Sequence, residues 1–594
     1  VHLRCSAAKM LGLFHAKPSA GEAAPTGRRE QRPRFGLGCG MRRRPGATAA
    51  PRGGGDDPAE LAVQKRKLSA SMEYSSFLRR SHLPRPSISG CSPHWSVGPG
   101  INEASEVVNL LDDIGDARSN AVQAVRALTK LRGLICSSTN PCIQEVVDSG
   151  GLPVLIERLR DASPVMQLEA AWLLTNIASG SSAQASAMVS AGVVEAVFGI
   201  LATPAIAERP ELCDQCLWLL ANIAGDEDLR LRDWVLLEAG AVGHLGRLYE
   251  QVPGFAWSFH SRMQVLRSLT WLMSALCRGQ PAPPLEEVDC AFDYFAQVLL
   301  GADDVEMLAE AVWGLCYLVE GGLDDRAACT RAARLLSAGL AGEQLPLPPA
   351  QHPLLVKLVQ CARVAGERTN PLAVPALRLL GTLLSTSADA VGGMVVAAGA
   401  LSVLTDVALD PFAPLQVRCE AAWSLSNVAA GAQAQHLLDS TRPVAALCDI
   451  LESDAPQGLR SECAWALANV VRCGRPLPRH VDHKRLLRLI DVALSAGLEA
   501  ALEPVLLEAA QALVNCGGEL LCEARACGLL ERLQGREAPH GLPEPKPCPH
   551  DDGANRENRP PQNAKLGKDR VGGLQLGSVN HCVPLQLAKL NRNA

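Results

Sequence analysis

From residue 172 onward a Trp, or a residue standing in its place, recurs at intervals of 46, 53, 42, 65, 45 and 42 residues: Trp172, Trp218, Trp271, Trp313, Arg378, Trp423 and Trp465. A period of about 40–47 residues belongs to units of two or three helices, none of which can bury its apolar faces alone. Such units stack, and the stack shares one elongated core. Apolar residues make up 47% of the chain but aromatic ones only 4%, so the core is built of Leu, Ala and Val, which favours helix over sheet.

A period of this length fits armadillo or HEAT solenoids, and a second periodic signal supports armadillo. The segment Ser149–Leu155 recurs loosely as Ser190–Ala196, Glu238–His244 and Ala397–Val403, each time with a Gly that breaks one helix before an apolar helix begins. The expected fold is all-α: a right-handed superhelical armadillo solenoid of about 9–10 repeats over residues 101–535. The two long intervals mark inserted loops, Gln251–His260 and Glu343–Pro353, which a solenoid carries on its edge. Residues 1–100 are rich in Gly, Pro, Ser and Arg and read as a disordered basic region with one short helix over Ala59–Ser71. Residues 536–594 read as a flexible tail.

Five of the row positions carry a fuller pattern, in which Glu or Gln precedes the Trp by three residues and Asn or Tyr follows it by four. These are Glu169/Trp172/Asn176, Gln215/Trp218/Asn222, Glu310/Trp313/Tyr317, Glu420/Trp423/Asn427 and Glu462/Trp465/Asn469. Residues three and four apart share one helix face. At about 100° per residue, Asn222, Gln215 and Asp214 fall on the Trp218 side, while Leu219, Leu220 and Ile223 fall opposite. A core role for every Trp would bury Asn and Glu repeatedly, at a cost in free energy. The row is therefore expected to line an open, concave face. Parallel indoles one repeat apart would leave slots for Lys or Arg stems. The Asn amides would hold a peptide backbone extended. Carboxylates at the wall, Glu306, Glu310, Glu420, Glu462 and Asp226 among them, would select positive charge.

Other function classes find little support. A net charge of −5 gives no global reason to bind nucleic acid. The 21 Cys sit mostly in apolar helical segments and read as reduced core residues. Cys213 and Cys216 form a CxxC without a second pair or a His at zinc spacing, so no metal or other cofactor is expected. No apolar run reaches membrane-spanning length. The start, at Val1 rather than Met, does not read as a signal peptide. No phosphate-binding glycine loop, HExxH or GxSxG is present, and the 13 His are dispersed, so an enzyme is not expected.

Between about Arg118 and Gly474 the chain resembles importin-α (karyopherin-α), the armadillo adaptor for nuclear localisation signals. The resemblance is carried by Ala170–Gly180, Trp218–Asp226, Ser268–Pro284, Pro375–Gly381 and Ala421–Gly431, short words matched in order. It implies a major peptide site formed by Trp172, Asn176, Gln215, Trp218, Asn222, Trp271 and Glu310, with Gly180 and Asp226 around the most selective Lys of the signal. It implies a minor site formed by Trp423, Asn427, Glu462, Trp465 and Asn469, with Tyr317 and Arg378 in the interrupted middle. The chain departs from the family pattern where Ala275 and Thr382 stand for Asn, Ala185 for Thr, and Thr386 and Val391 for the Gly and Thr of the minor Lys pocket. The Lys65, Arg66, Lys67 cluster resembles the family's self-binding segment, and basic clusters around it resemble a broken importin-β-binding segment.

The resemblance implies an import adaptor that binds cargo through Lys/Arg-rich signals, links it to importin-β, and works in cytoplasm and nucleus. The alternative is an armadillo scaffold, in the general manner of β-catenin, that binds another extended peptide without import activity.

Overall fold

A computed structural model of the chain describes residues 103–534, apart from 119, 137–141, 239, 322–324, 339–350, 364–370, 387 and 499–501. All of these belong to the compact unit that begins at Ala59. The expected helix over Ala59–Ser71, the cluster Lys65, Arg66, Lys67, both terminal regions and most of the insertion Glu343–Pro353 lie outside the described residues.

Helices follow one another in a repeating order, and no strand occurs among the described residues. The array opens with α1 (Glu103–Gly115) and α2 (Ala121–Ile135). Three-helix units follow: α3 (Ile143–Asp148), α4 (Gly151–Leu159) and α5 (Pro164–Ala178); α6 (Ser182–Ser190), α7 (Val193–Leu201) and α8 (Pro210–Ala224); α9 (Leu229–Glu238), α10 (Ala241–Gln251) and α11 (Phe259–Cys277). The next unit has two helices, α12 (Leu285–Gly301) and α13 (Val305–Glu320). After it come α14 (Asp325–Ser337), α15 (Pro353–Arg363) and α16 (Ala373–Leu384); α17 (Asp389–Ala397), α18 (Ala400–Leu409) and α19 (Leu415–Ala430); α20 (Ala434–Asp439), α21 (Thr441–Glu452) and α22 (Gln457–Arg472). The array ends with α23 (His483–Ser495), α24 (Glu503–Asn515), α25 (Gly518–Ala526) and α26 (Leu529–Gln534).

This is an armadillo-repeat solenoid. The glycines expected at the breaks occupy them: Gly150, Gly192, Gly240 and Gly399 have φ of 73°, 86°, 55° and 92° and open α4, α7, α10 and α18. A Cβ is disfavoured in that left-handed region, so Gly is the residue that turns the chain between two short helices. The last helices of the units begin on residues that cost little at a first turn. Pro164 and Pro210 open α5 and α8, and the Ser258 and Asp304 side chains accept backbone N–H groups at the starts of α11 and α13.

Those last helices of each unit, α2, α5, α8, α11, α13, α16, α19, α22 and α24, pack consecutively and make one continuous row. Apolar residues from Val107 to Leu529 form a single buried cluster behind it. Where the two-helix unit lacks a first helix, buried arginines satisfy the irregular backbone. Arg232 donates to the carbonyls of Arg278 and Pro281, and Arg331 to those of Leu318 and Pro283. The insertion Gln251–His260 is anchored rather than loose. Trp257 is buried and its Nε1 donates to the Ala207 carbonyl at 2.8 Å, tying the loop to the short turn Pro204–Glu208 of the preceding unit.

Candidate functional site

Trp172, Trp218 and Trp271 stand on α5, α8 and α11 with part of each indole in solvent. Behind them Leu173, Leu174, Ile177, Leu219, Leu220, Ile223 and Leu272 are fully buried. The helix-face reading thus holds in this half of the row. Asn176 and Asn222 are likewise partly exposed. Ala275, where a third Asn would stand, is buried and offers no amide.

Two local expectations are corrected. The indoles do not leave parallel slots throughout. Trp218 and Trp271 meet edge to face, with centroids 6.5 Å apart and planes at 79°, an arrangement favoured by the ring quadrupoles. Nor are the Asn amides wholly available. Asn222 Nδ2 donates to the Thr175 carbonyl of the preceding helix at 3.1 Å, and Asn176 Nδ2 donates to the Trp172 carbonyl at 3.1 Å. Asn176 Nδ2 also donates to Cys136 Sγ at 3.4 Å, so Asn176 keeps its Oδ1 for another partner, and Asn222 keeps its second N–H and its Oδ1.

Carboxylates on α8 and α13, and at the end of α8, have partners of their own. Asp226 is buried at the end of α8, where one carboxylate oxygen accepts the Ser182 hydroxyl at 2.6 Å and the Asp228 N–H at 2.8 Å. Ser182 therefore brings a hydroxyl to this acid while Ala185 is buried. Exposed Gly180 lies two residues before Ser182, where a Cβ would collide with the Gln184 amide. Asp214 accepts the Ser268 hydroxyl at 2.5 Å. Gln215 is buried with its Oε1 lacking a hydrogen-bond partner. Glu310, on α13, has one buried oxygen without a partner. Burial pushes its pKa up to about 7, against the opposing pull of a hydrogen bond from Ser274, and the charge of Glu306 adds to the rise. Glu306 itself is exposed and pairs with Arg267 at 3.3 Å.

Arg132 is the residue that local sequence pattern missed. It lies on α2 with its guanidinium carbon 4.6 Å from the Trp172 ring centroid, and its Nε is 2.9 Å from Glu169. Its position 40 residues before Trp172, one repeat period, was the available signal.

The second half of the row differs, and the expectation of exposed indoles is corrected there. Trp313, Trp423 and Trp465 are 2%, 7% and 2% exposed, and Tyr317, Asn427 and Asn469 are also buried. Trp313 stacks on Tyr317 at 5.8 Å. Arg378 lies 4.7 Å over the Trp423 ring and is held by both oxygens of Glu420. Asn427 Nδ2 donates to the Gly381 carbonyl and Asn469 Nδ2 to Ser426. Glu462, on α22, is partly exposed. Thr386 turns its hydroxyl to the Leu383 carbonyl of its own helix end, and Val391 is buried, so neither presents a cation pocket. Of these, Tyr317, Arg378, Trp423, Asn427, Glu462, Trp465 and Asn469 are the residues the minor site was expected to use.

Among the described residues no three His, Cys, Asp or Glu are grouped to hold a metal ion. Cys213 and Cys216 are buried in α8, and burial raises both thiols, Cys216 to about 12.

Residues 139–179 match the family model of the Armadillo/beta-catenin-like repeat. A solved structure of an engineered protein aligns with a TM-score of 0.57 at 23% identity, covering 73% of this chain and 94% of that one, and shares the fold. The chain has the armadillo-repeat solenoid fold. It is similar to importin-α subunits: it is 32% identical to importin subunit alpha-2 of Arabidopsis thaliana over 270 residues, covering 45% of this chain and 47% of that protein. It is 31% identical to importin subunit alpha-1b of Oryza sativa subsp. japonica over 277 residues, 46% and 47% of the two chains. The aligned segments span about half the length of these relatives.

Proposed function

We propose that the face of α5, α8 and α11 binds an extended peptide rich in Lys and Arg, and that the protein serves as an adaptor for proteins carrying such nuclear localisation signals. The observation that carries this reading is the coincidence, on α5, α8 and α11, of three part-exposed indoles and two amides with unspent hydrogen-bonding atoms, with the acid Asp226 at the end of α8 and Glu310 on the neighbouring α13. Indoles take aliphatic stems and cationic heads. The acids reward positive charge and the amides fix register. The similarity to importin-α subunits supports the import role, with importin-β as second partner and passage between cytoplasm and nucleus as setting. In this reading Lys65, Arg66 and Lys67 compete for the same face.

Fluorescence anisotropy with a labelled Lys/Arg-rich peptide tests the site. Binding that weakens as salt rises, and falls about 10–100-fold in Asp226→Asn, is expected; no binding at about 0.1 mM, a weak affinity for a specific complex, contradicts it.

A second reading is an armadillo scaffold for a different extended peptide. It is favoured by Ala275, which removes an amide, and by the burial of Trp423 and Trp465. Pull-down with importin-β separates the two: capture supports the adaptor, and its failure with peptide binding intact supports the scaffold.

A further inference from the structure

The connection between α22 and α23 carries a concentration of positive charge that the row of indoles does not use. From Arg472 to Arg485 the chain has Arg472, Arg475, Arg479, Lys484 and Arg485 together with His480 and His483, against one acid, Asp482, although its net charge is −5. Since α22 ends at Arg472 and α23 starts at His483, no short first helix stands between them. The connection is anchored all the same. Gly474 turns it at a φ of 69°. Leu477 packs on the apolar cluster, Val481 is buried, and the Val481 N–H donates to the Pro478 carbonyl at 3.0 Å. Arg475 Nη2 donates to the Ala432 carbonyl of the preceding unit at 3.3 Å. An anchored loop loses little conformational freedom when a partner lands on it.

The cations of this stretch divide into two groups. Arg472, Lys484 and Arg485 are engaged by the fold: Arg472 pairs with Glu508 at 2.8 Å, Lys484 with Glu519 at 3.0 Å, and Arg485 with Asp449 and Glu452 at 2.6 and 2.7 Å. Asp482 is engaged as well, since its carboxylate accepts the Arg485 N–H at 2.9 Å and caps α23. Arg475, Arg479 and His480 are exposed, and among the described residues none forms an ion pair with them. His483 Nε2 is shielded from solvent and lacks a hydrogen-bond partner. Arg475 follows Trp465 by ten residues, as Asp228 follows Trp218. At equivalent places the open half of the row carries acids and its far end carries cations.

We propose that the turn from Arg475 to His483 is a separate binding surface for an acidic peptide segment, rich in Asp and Glu, and that it works independently of the face of α5, α8 and α11. Charge complementarity carries the assignment: unpaired guanidinium groups on a fixed loop reward carboxylates, and they select against basic partners. A peptide fits better than a nucleic acid. Asp449, Glu452 and Glu508 stand exposed at the rim and would repel a continuous phosphate backbone. The stretch from Arg472 to Leu489 also holds no Phe, Tyr or Trp on which bases would stack.

The test uses the full chain and three labelled probes in fluorescence anisotropy: a peptide of alternating Glu and Gly, a Lys/Arg-rich peptide and a single-stranded oligothymidine. Wild type should bind the Glu peptide, and the binding should weaken as salt rises. Arg479→Glu/His480→Glu, which reverses two side chains that hold nothing in the fold, should lose about tenfold or more of that affinity. The same variant should melt as wild type does and bind the Lys/Arg-rich peptide as wild type does. Trp218→Ala should keep the Glu peptide at wild-type affinity, which separates this surface from the row. No binding of the Glu peptide at about 0.1 mM, a weak affinity for a specific complex, overturns the proposal, and so does equal binding by Arg479→Glu/His480→Glu. Oligothymidine binding that exceeds Glu peptide binding and is lost in that variant overturns it too, in favour of nucleic acid. A wild type that binds the Glu peptide and not the Lys/Arg-rich one contradicts the reading of the row and supports the acidic-peptide surface.

Discussion

Glu310 shows how one side chain couples the row to pH. Its folded pKa, raised by burial to about 7, stands above the ordinary value of 4.5. Between those values the folded state keeps a proton that the unfolded state has lost, so stability falls as pH rises through that window and levels off above it. Glu310→Gln removes the penalty. It should stabilise the protein at pH 8 by about 1–3 kcal/mol, with little difference near pH 4.5. Urea melts at the two pH values check this, and an equal change at both would refute it. A Lys brought to Glu310 favours the ionised carboxylate, so peptide affinity should rise from pH 6 to 8 in wild type and rise less in Glu310→Gln. Titrations at the two pH values check that as well. At this scale much was legible in sequence. The placement of Trp172, Trp218, Asn176 and Asn222 on one face followed from three- and four-residue spacing. Arg132 over Trp172 and Ser182 on Asp226 did not follow, because both contacts cross from one repeat to the next, about 40 residues apart.

At the scale of helices, glycine positions are informative in two ways. Gly150, Gly192, Gly240 and Gly399 were readable as corners because the break recurs with the period. Gly192→Ala should cost about 1–2 kcal/mol, the price of left-handed backbone for a residue with a Cβ, measured as a shift in the urea midpoint. Gly314 and Gly381 were not singled out, since mid-helix glycines mark close approach only when the neighbour is known. A Cβ on Gly314 would come within 2.2 Å of the Phe295 ring, between α12 and α13. Gly314→Ala should destabilise by about 1–3 kcal/mol through overpacking. An unchanged midpoint would mean that the ring yields freely. The Gln251–His260 insertion was legible as an interruption, but its anchoring through Trp257 was not, because the carbonyl it uses belongs to Ala207 in the repeat before.

At the scale of the whole array, periodicity predicted a uniform row, and the described residues form two unlike halves. Trp172, Trp218 and Trp271 keep open surface, whereas Trp313, Trp423 and Trp465 are buried. The pattern Glu-x-x-Trp-x-x-x-Asn is the same on α5 as on α19 and α22, so it cannot report which copy is covered. What covers Trp423 is Arg378, a residue 45 positions earlier that the pattern recorded merely as a missing Trp. Stacked repeats stabilise one another through neighbours. A fragment ending after α13 should therefore stay helical, melt below the full chain, and keep the open indoles; circular dichroism checks this, and an unfolded fragment would show that the later repeats are required. The central claim, that a basic peptide lies along α5, α8 and α11, is tested most directly by calorimetric titration of wild type, Trp218→Ala and Trp465→Ala with one Lys/Arg-rich peptide. The account predicts a single site in wild type, a loss of about tenfold or more in affinity for Trp218→Ala, and wild-type affinity for Trp465→Ala. Equal binding by wild type and Trp218→Ala, or loss confined to Trp465→Ala, would contradict it.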